Sequence, residues 1–296
     1  MVTVNGLVTA VHGRHYTVEL ADGRLLHCYP RGRNTSFACG DIVDVEPSGD
    51  MQGTIKTHHA RSSLLYRSDR FRQKIIAANV TQAVIVIAAE PPFNEDLLAR
   101  CLIACAQQQI KALIVLNKID LIEQTALAQA RLSLYEQLGY ALVKLSATTD
   151  ISPLIAAVRG HRNVMVGQSG MGKSTIVNAL IPGTKARTAE ISRTLHSGKH
   201  TTTSAQLYRF DSRTDIIDSP GLQSFGLLHL SQPELISCFP EFTRHRGKCR
   251  FDDCRHLVEP GCALTAAVRS GQIAERRWNV YCELVKELDS KPPDWA

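Results

Sequence analysis

Apolar and polar residues alternate in short runs from Val2 to about Leu65, and turns rich in glycine separate the runs. A period of two predicts β-strands with one buried face, and this stretch has no helical period. The predicted strands are VTVNGLVTAV, HYTVEL, RLLHCY, DIVDVE and GTIKT. Five short strands predict a small barrel, and the five-stranded oligonucleotide/oligosaccharide-binding (OB) barrel is the natural candidate. A small barrel that binds no ligand is the alternative.

From Asn79 to Phe225 the pattern changes to buried apolar runs that alternate with helical stretches. Runs such as QAVIVIAAE, ALIVLNKID and NVMVG are apolar on both faces, which is typical of strands in a parallel sheet. Helical periodicity follows them in LLARCLIACAQQQ, ALAQARLSLYEQLG and KSTIVNALI. The alternation predicts a mostly parallel α/β sheet with helices on both faces. Such sheets bind ligands at the carboxyl ends of their strands.

From about Ser231 the chain has helical patterns that do not continue the sheet, in SQPELISCFPEF, CALTAAVRSG and ERRWNVYCELVKELDS. The predicted fold class is therefore a multidomain α/β protein. We expect a barrel over residues 1–65, a central α/β domain over 66–229 and a C-terminal α-helical domain over 230–296.

Composition narrows the classes of protein. Apolar residues make up 44% of the 296 residues and charged residues 21%, as in ordinary globular proteins. The longest wholly apolar run, Ala83 to Ala89, is far shorter than the ~20 residues that cross a bilayer, so we expect no membrane association. The N-terminal residues lack the pattern of a secretory signal, which favours the cytoplasm. The net charge of +6 is a mild bias toward polyanions such as nucleotides or RNA.

The strongest motif is the run GQSGMGKS between the apolar strand NVMV and the helical stretch STIVNAL. It fits G-x-x-x-x-G-K-[ST], a loop whose backbone N–H groups cradle phosphates. We expect Lys173 to reach the β and γ phosphates and Ser174 to ligate Mg²⁺. A chance glycine-rich turn is the alternative, and the flanking context disfavours it. The predicted nucleotide-binding residues here are Gly167, Gln168, Ser169, Gly170, Met171, Gly172, Lys173, Ser174 and Thr175.

A second motif selects the base. The sequence Asn117-Lys118-Ile119-Asp120 ends the strand ALIVL, and a carboxylate there accepts hydrogen bonds from the two adjacent donors of guanine. Adenine presents an acceptor at N1 and would be repelled. Taken alone the tetrapeptide could equally be a solvated turn. The base-binding interpretation is favoured because Ser146 and Ala147 follow the strand YALVKL, where a backbone contact to guanine O6 is expected.

Two further stretches complete the nucleotide site. Asp218 follows the apolar strand DII and predicts a Mg²⁺ contact through water, while Gly221 offers an N–H to the γ-phosphate. A plain Pro-Gly turn is the alternative. Upstream, GKHTTT supplies three hydroxyls suited to a switch loop. We favour Thr202 as the Mg²⁺ ligand, but the pattern does not choose among Thr201, Thr202 and Thr203.

The order of these motifs is circularly permuted. An ordinary GTPase has the phosphate loop first, whereas here the base-selecting motif precedes it in the chain. Permutation is acceptable because the termini of a compact domain lie on its surface and are often close together. After Gly221, where many GTPases carry a water-orienting glutamine, this chain has the apolar Leu222. A low intrinsic rate of hydrolysis follows, and His200 is the first candidate to orient the water, with Gln223 second. The alternative is that His200 is a solvated loop histidine with no part in hydrolysis.

A cysteine-rich stretch predicts a metal site. Cys249, Cys254, His256 and Cys262 offer three thiolates and one imidazole within fourteen residues, the closed tetrahedral set of a structural Zn²⁺ site. Buried free cysteines are the alternative. The remaining cysteines show no such spacing and are most simply small buried hydrophobes.

Basic residues cluster in three stretches: Arg61 to Lys74, Arg159 to Lys199 and Arg244 to Arg255. Each by itself is usually a solvated face. Three such stretches beside a barrel, a switch loop and a metal lobe favour RNA as a partner. Aromatic residues amount to only 6%, so recognition through phosphates and shape fits better than extensive base stacking.

The combination of NKID, SA, GQSGMGKST, GKHTTT and DSPG in this order, followed by CRFDDCRHLVEPGC, closely resembles the bacterial ribosome small-subunit-dependent GTPase A family (RsgA, also called YjeQ or YloQ). The resemblance covers nearly the whole chain. It implies an OB barrel, a permuted GTPase domain and a zinc domain, with GTP/GDP, Mg²⁺ and one structural Zn²⁺ as ligands. It places the zinc ligands at the four residues named above and the proposed catalytic histidine at His200. From the phosphate loop and the switch loop we expect Lys173 and Thr202 to act in catalysis as well.

The same resemblance implies a GTP hydrolase that acts late in maturation of the small (30S) ribosomal subunit and is stimulated by that subunit. Its partners would be the subunit and its rRNA, with other late assembly factors possible, no membrane partner and a monomeric state. Lys199 and Met171 depart slightly from the family pattern, and neither puts nucleotide binding in doubt.

Other functions predict other residues. A metabolic NTP-dependent enzyme would need a second small-molecule constellation, which the sequence does not show. A pure RNA-binding protein with a degenerate nucleotide site would lack Lys173, Ser174, Asp120 or Asp218, and all are present. A regulatory GTPase with a non-ribosomal RNA partner is the remaining alternative.

Overall fold

The computed structural model describes residues 3–32, 36–68, 73–183, 205–219 and 225–290. The strands are β1 (Val4–His12), β2 (His15–Leu20), β3 (Leu25–Pro30), β4 (Ile42–Pro47), β5 (Gln52–His58), β6 (Leu64–Ser68), β7 (Gln73–Ala78), β8 (Gln82–Ala88), β9 (Lys111–Asn117), β10 (Ala141–Lys144), β11 (Arg162–Val166), β12 (Gln206–Asp211) and β13 (Thr214–Asp218). The helices are α1 (Glu95–Gln107), α2 (Ile122–Gln137), α3 (Ser152–Val158), α4 (Lys173–Leu180), α5 (Gln232–Ser237), α6 (Ala263–Arg269) and α7 (Glu275–Asp289), with a 3₁₀ helix at Pro240–His245.

The first five strands form the predicted barrel. They lie in the order β1-β2-β3-β5-β4, and pairing of β4 with β1 closes it. Alternate side chains point inward, so that Tyr16, Val18, Leu26, Val43 and Ile55 are almost wholly buried in one cluster. The five-stranded barrel expected from the alternating pattern is confirmed.

The central region is the expected parallel sheet. Strands β10, β9, β8, β11 and β13 run parallel in that spatial order, and β12 is antiparallel at the side of β13. Strand β8 is buried over its whole length, which explains its continuous apolar sequence. The carboxyl ends of β9, β11 and β13 carry Asn117, the phosphate loop and Asp218 to one edge of the sheet.

The barrel and the parallel sheet share hydrogen-bonded strands. Strand β1 of the barrel pairs with β12, and the Val11 N–H donates to the Ala205 carbonyl at 3.1 Å. The result is a single eleven-stranded sheet among the described residues. The sequence pattern predicts two separate sheets, because periodicity reports which face of a strand is buried and not which strand lies next to it.

Polar contacts reinforce this junction. The fully buried Asp41 accepts from Arg61 Nε and from a terminal Arg61 nitrogen, both at 2.7 Å. The carbonyl of Gly40 accepts from Asn79 Nδ2 at 3.0 Å and from Arg162 at 3.2 Å. A buried carboxylate without such donors would be strongly destabilising, so these pairs hold the barrel in register on the sheet.

The chain divides into two compact units. The first comprises Met1–Tyr66, Lys74–Phe93 and Gln108–Gln223, and the second comprises Arg67–Gln73, Asn94–Gln107 and Ser224–Ala296. The predicted three-domain boundaries stay a prediction. Strands β6 and β7, which the pattern does not predict, form a separate two-stranded sheet.

In the second unit, α1 joins the C-terminal helices. Arg100 of α1 donates two hydrogen bonds to the Glu287 carboxylate, at 2.6 and 2.8 Å, and one to Asp96 at 2.7 Å. The core of this unit is aromatic. It contains Phe239 and Phe242, stacked at 4.6 Å between centroids, with the buried Tyr281 edge-on to both. Among the described residues, no helix is both long and apolar enough to span a membrane.

Candidate nucleotide site and metal cluster

The phosphate loop connects β11 to α4, and its glycines are required by space as well as by conformation. Gly167 and Gly172 have φ angles of 148° and 92°. A Cβ on Gly167 would lie 2.2 Å from the Val86 carbonyl oxygen, and one on Gly172 would lie 2.2 Å from Asn117 Nδ2. The loop can therefore follow this path only with glycine at both positions. Its other residues, Gln168 to Met171, carry the chain to the first turn of α4.

Lys173 is the first residue of α4, and its ammonium group lies against the backbone of the phosphate loop. Nζ donates to the carbonyls of Gly167 at 2.7 Å and Gln168 at 2.8 Å, and the side chain is buried. Burial lowers the pKa of Lys173 to about 8, against the opposing attraction of Asp218. Burial raises the pKa of Asp218 to about 6, and the charge of Lys173 works in the opposite direction. The two side chains form an electrostatic pair at the sheet edge, where a phosphate and its counter-ion would bind.

Asn117 connects the base motif to the phosphate loop. Its Nδ2 donates to the Met171 carbonyl at 2.9 Å, and its Oδ1 accepts from the Ala147 N–H at 3.0 Å. The buried Asn117 amide thus connects three loops, because its partners Ala147 and Met171 lie 30 and 54 residues further along the chain. Ser146, also buried, accepts backbone hydrogen bonds from Thr149 and Asp150 and so shapes the third loop.

Lys118 spans the base pocket from the other side. Its backbone is left-handed, with φ of 63°, and its Nζ donates to the carbonyls of Glu90 at 2.7 Å and Gly170 at 2.9 Å. These two contacts fix the ammonium group between the Glu90 and Gly170 segments, and the placement of the side chain over a base stays a prediction. Ile119 donates its N–H to the Leu145 carbonyl at 3.4 Å, and Asp120 is exposed at the mouth of the loop.

Glu90 is not among the site residues that the sequence predicts, although its carbonyl accepts a hydrogen bond from Lys118. It follows β8, and its carbonyl receives Lys118 at the same sheet edge as the other loops. The sequence could have indicated this residue, because Glu90 and Pro91 follow the wholly buried strand β8 and ligands bind beyond the carboxyl ends of parallel strands.

The remaining predicted residues divide into two groups. Ser174 and Thr175 lie half-buried in the first turn of α4, beside Lys173, and Ser219 next to Asp218 anchors its strand end by donating to the Met165 carbonyl at 2.6 Å. The other predicted residues lie outside the described part of the chain: His200, Thr201, Thr202, Thr203, Gly221, Leu222 and Gln223.

The cysteine-rich stretch forms a compact cluster in the second unit. The ligand atoms of Cys249, Cys254, His256 and Cys262 all lie within 4.8 Å of one another. His256 Nδ1 is 3.3 Å from Cys249 Sγ and 3.5 Å from Cys262 Sγ. Zinc bonds of about 2.3 Å to sulfur and about 2.0 Å to nitrogen separate neighbouring tetrahedral ligands by about 3.5 Å, so the cluster fits Zn²⁺.

Local structure prepares these ligands. His256 adopts a left-handed conformation with φ of 64°, and its ring lies beside the sulfurs. Burial lowers the pKa of His256, against the opposing charge of Glu259, and so favours the neutral imidazole. The neutral ring is the form that ligates metal. The Ala263 N–H approaches Cys249 Sγ at 3.3 Å, an outer contact of the kind that orients a thiolate ligand.

The parallel sheet, the phosphate loop with its lysine, and the guanine-type loop order define a circularly permuted P-loop GTPase. Comparison with known proteins gives the same class. The sequence model of the RsgA GTPase family matches residues 58–228. The chain belongs to the RsgA GTPase family, as the motif resemblance implies.

Relatives and solved structures extend the likeness over nearly the whole chain. The small ribosomal subunit biogenesis GTPase RsgA of Nitrosospira multiformis is 47% identical over 97% of this chain and 92% of that protein. The protein of the same name from Nitrosomonas europaea is 47% identical over 98% of this chain and 94% of its own length.

Two crystal structures share the fold. YjeQ from Thermotoga maritima has a TM-score of 0.75 and 30% identity, covering 98% of this chain and all of that one. YloQ, described as a circularly permuted GTPase, has a TM-score of 0.69 and 25% identity, covering 99% of this chain and 97% of that one. The predicted fold class of barrel, permuted GTPase sheet and helical metal-cluster region is therefore confirmed.

Proposed function

We propose that this chain hydrolyses GTP during biogenesis of the small ribosomal subunit, and that the subunit and its rRNA stimulate the reaction. The support is the membership of the RsgA GTPase family and the name of its relatives, small ribosomal subunit biogenesis GTPase. The single observation on which the proposal rests is the convergence of three distant loops on Asn117. A pocket assembled in this way is built for a guanine nucleotide.

Recognition of guanine would depend on Asp120. Its exposed carboxylate can accept from the N1–H and the exocyclic amine of the base. The Ala147 N–H is already engaged by Asn117, so Asn117 holds that loop in place while Ser146 and Ala147 border the base. Lys118 would cover one face of the ring.

Phosphate binding would use the loop from Gly167 to Thr175. The N–H groups at the start of α4 and the ammonium group of Lys173 supply positive charge. We infer that Lys173 exchanges its two carbonyl acceptors for phosphate oxygens when nucleotide binds, because those carbonyls are neutral and the phosphates are anionic.

A Mg²⁺ ion would be held by Ser174 and, through water, by Asp218, with Thr202 and the Gly221 N–H as the proposed partners from the switch segments. When bound, the ion neutralises charge on the transferred phosphoryl group. The buried carboxylate of Asp218 beside an oxygen-bearing helix start matches the hard oxygen ligands that Mg²⁺ prefers.

Water activation would depend on His200, because Leu222 occupies the position after Gly221 and has no polar group. A low intrinsic rate follows, together with a need for the subunit to complete the arrangement. The zinc cluster leaves no open ligand position and would act as a structural staple of the second unit.

The test is GTP turnover by the purified full chain, alone and with purified small or large ribosomal subunits. We expect a rise of at least tenfold that occurs only with small subunits. Lys173→Ala should abolish it. Lys111→Ala is the matched control, because Lys111 is exposed at the start of β9, away from the pocket and outside the three basic stretches. Intact GTP binding with no response to small subunits would reject the ribosomal part of the proposal, and a response to an unrelated structured RNA would favour the non-ribosomal alternative.

A further inference from the structure

A short loop follows strand β8 and lies beside the base motif. It comprises Ala89 to Phe93, and we call it the β8 loop. Its first N–H, that of Ala89, donates to the Asn117 carbonyl at 3.1 Å, and the Glu90 carbonyl accepts from Lys118 Nζ at 2.7 Å. The β8 loop therefore contacts the first two residues of the base motif directly.

The β8 loop also lies against the phosphate loop. A Cβ built on Gly170 would lie 3.7 Å from Pro91 Cγ, an ordinary van der Waals distance, so the proline ring packs beside this glycine. Lys118 Nζ bridges the two loops, because it donates to the Glu90 carbonyl and, at 2.9 Å, to the Gly170 carbonyl. A displacement of the β8 loop would therefore move one of the two acceptors that fix the Lys118 ammonium group.

An arginine of α2 holds the far end of the β8 loop. Phe93 is buried, and Cζ of Arg131 lies 4.1 Å from the centroid of its ring. A terminal nitrogen of the same guanidinium donates to the Phe93 carbonyl at 3.2 Å. A cation over the face of an aromatic ring is attracted by the quadrupole of the ring, most strongly where water is excluded. We call Phe93 and Arg131 the anchor pair.

The sequence of the β8 loop explains why these side-chain contacts matter. Pro91 and Pro92 have no backbone N–H, so they cannot donate main-chain hydrogen bonds. Glu90 and both prolines are exposed, whereas Phe93 retains 3% of its surface. The buried ring and the cation above it therefore fix the end of a segment whose middle lies in solvent.

The helix that carries Arg131 begins directly after the base motif. Helix α2 starts at Ile122, two residues after Asp120. Its buried side chains lie from the second turn onward, at Ala128, Leu132 and Tyr135. The end of the base motif is thus held through contacts made further along α2, and the anchor pair connects that part of the helix to the β8 loop.

We propose that Arg131 is a positioning residue for guanine nucleotide binding. It completes a contact cycle that runs from Lys118 through Glu90 and Phe93 to Arg131, and back along α2 to Asp120. Both ends of the base motif are thereby attached to one short loop, which limits the movement of Lys118 relative to Asp120. The proposal rests on the proposed function for the identity of the nucleotide, and it assigns to the contact cycle the time for which that nucleotide stays bound.

The experiment measures release of GDP that carries a methylanthraniloyl fluorophore (mant-GDP) from the full chain, by stopped-flow fluorescence with Mg²⁺ and excess unlabelled GDP. We expect Arg131→Ala to raise the dissociation rate by about tenfold, because a half-buried cation–π contact and a hydrogen bond together contribute on that scale. Phe93→Leu keeps an apolar side chain, removes the ring, and should also speed release. It supplies the same test if Arg131→Ala does not fold.

Arg209→Ala is the matched control. Arg209 is an arginine of the same compact unit, and its acidic partners lie in the barrel and at the start of β13, away from the base motif. Its removal should leave the dissociation rate unchanged. Faster release in Arg209→Ala, equal to that in Arg131→Ala, would show that loss of any such arginine loosens the site and would overturn the proposal.

A double substitution distinguishes positioning from a purely structural role. Lys118→Ala opens the contact cycle at one point, so opening it at a second point with Arg131→Ala should raise the dissociation rate by less than about twofold more. An arginine that only fastens α2 to the protein would act independently of Lys118. Full multiplication of the two effects would therefore overturn the proposal.

Steady-state hydrolysis of GTP gives a second readout. In Arg131→Ala the KM for GTP should rise by a factor similar to that of the dissociation rate, whereas the kcat should change little, because the contact cycle holds the nucleotide equally in the ground state and the transition state. A lower kcat at an unchanged KM would also overturn the positioning role.

The two proposals fail separately. If the chain holds mant-GDP and neither Arg131→Ala nor Phe93→Leu changes its release, the positioning role is wrong and the proposed function stands. If small subunits do not stimulate hydrolysis but release of mant-GDP still depends on Arg131, the ribosomal part of the proposed function is wrong and the positioning role stands.

Discussion

Single residues in this protein have functions that depend on their hydrogen-bonding groups. Asn117 uses both atoms of its amide to hold two other loops, and Lys118 uses its ammonium group to bridge two carbonyls. Asp120, by contrast, is exposed at the end of the same motif. The motif therefore combines two residues that assemble the pocket with one whose carboxylate faces the solvent side, where a base can reach it.

Replacing Asp120 with asparagine should change which base is bound. The amide would present a donor to a donor of guanine, whereas xanthine offers a carbonyl acceptor at the corresponding position. We expect Asp120→Asn to lose about tenfold or more in GTP affinity and to gain affinity for XTP, measured by competition against a fluorescent nucleotide. Asp50→Asn, an exposed barrel acid, is the control. Retained GTP preference would show that Asp120 does not contact the base.

Two aspartates on one strand have different electrostatic environments. Strand β13 carries two aspartates that are both buried. Asp215 accepts from Arg162 at 2.9 Å and from Arg209 at 3.1 Å, so its charge is compensated within the fold. Asp218 lies at the end of the strand with Lys173 as its neighbouring cation, and burial raises its pKa to about 6. The first aspartate stabilises the strand, whereas burial of the second beside Lys173 carries a cost in stability.

Asparagine substitutions on this strand should have opposite effects on stability. Because the folded pKa of Asp218 exceeds that of the unfolded chain, its ionised form destabilises the protein at pH 7, and the penalty vanishes as the pH falls from about 6 toward 4. With EDTA and no nucleotide, Asp218→Asn should raise the free energy of unfolding at pH 7 by about 1 to 3 kcal/mol. The gain should disappear near pH 4.

Asp215→Asn is the matched variant and should lower the free energy of unfolding by about 2 kcal/mol, because it removes the carboxylate that pairs with Arg162 and one of the two that pair with Arg209. Urea denaturation at several pH values measures both. The same sign for both variants at pH 7 would contradict the inference that burial of the Asp218 carboxylate costs more than the attraction of Lys173 offsets.

The metal cluster is a separate element with its own prediction. Cys254→Ala removes one of four ligands from a short, loop-rich segment. We expect loss of bound zinc and a lower melting temperature for the second unit, because metal binding and folding are coupled in such lobes. GTP affinity should stay within twofold. Cys282→Ala, a half-buried cysteine outside the cluster, should retain the metal. Full zinc content in Cys254→Ala, measured by atomic emission, would rule out this ligand set.

At the scale of the first unit, the shared sheet joins the barrel to the nucleotide-binding strands. Strand β12 pairs with β13 on one side and with β1 of the barrel on the other. Gly40, next to the buried Asp41, lies close to the backbone of Ala78 at the end of β7, and its carbonyl accepts from Arg162 of β11. Its φ is 95°, and a Cβ would lie 2.2 Å from the Ala78 carbonyl oxygen. The junction therefore depends on a position where any side chain would collide with backbone.

Gly40→Ala tests this junction against a control with similar backbone geometry. Gly49 has a φ of 82° and nothing within 4 Å of its would-be Cβ, so Gly49→Ala should cost only backbone strain, about 1 kcal/mol. Gly40→Ala adds a collision and should cost about 2 kcal/mol more in the free energy of unfolding. Chemical denaturation of both variants makes the comparison. Equal costs would mean that the backbones of Gly40 and Ala78 move apart at little cost, and the close approach would then not be a constraint.

Much of this protein could be predicted from sequence because the relevant signals are local. Alternation with a period of two determined the five barrel strands, and long apolar runs determined the parallel strands of the central region. Motif chemistry predicted the candidate loops and the four candidate metal ligands, since a phosphate loop or a cysteine cluster needs particular residue types at short spacing.

Contacts between residues distant in the chain were decided only by the tertiary structure. Periodicity shows that β1 and β12 have buried faces, but their pairing depends on how two separately predicted sheets align. The placement of α1 with the C-terminal helices depends on Arg100 reaching Glu287, 187 residues away. The contact of Lys118 with the Glu90 carbonyl likewise forms only once β8 and β9 lie side by side. The local hydrophobic pattern indicates which face of each segment is buried, whereas the identity of its neighbours depends on the packing of the whole chain.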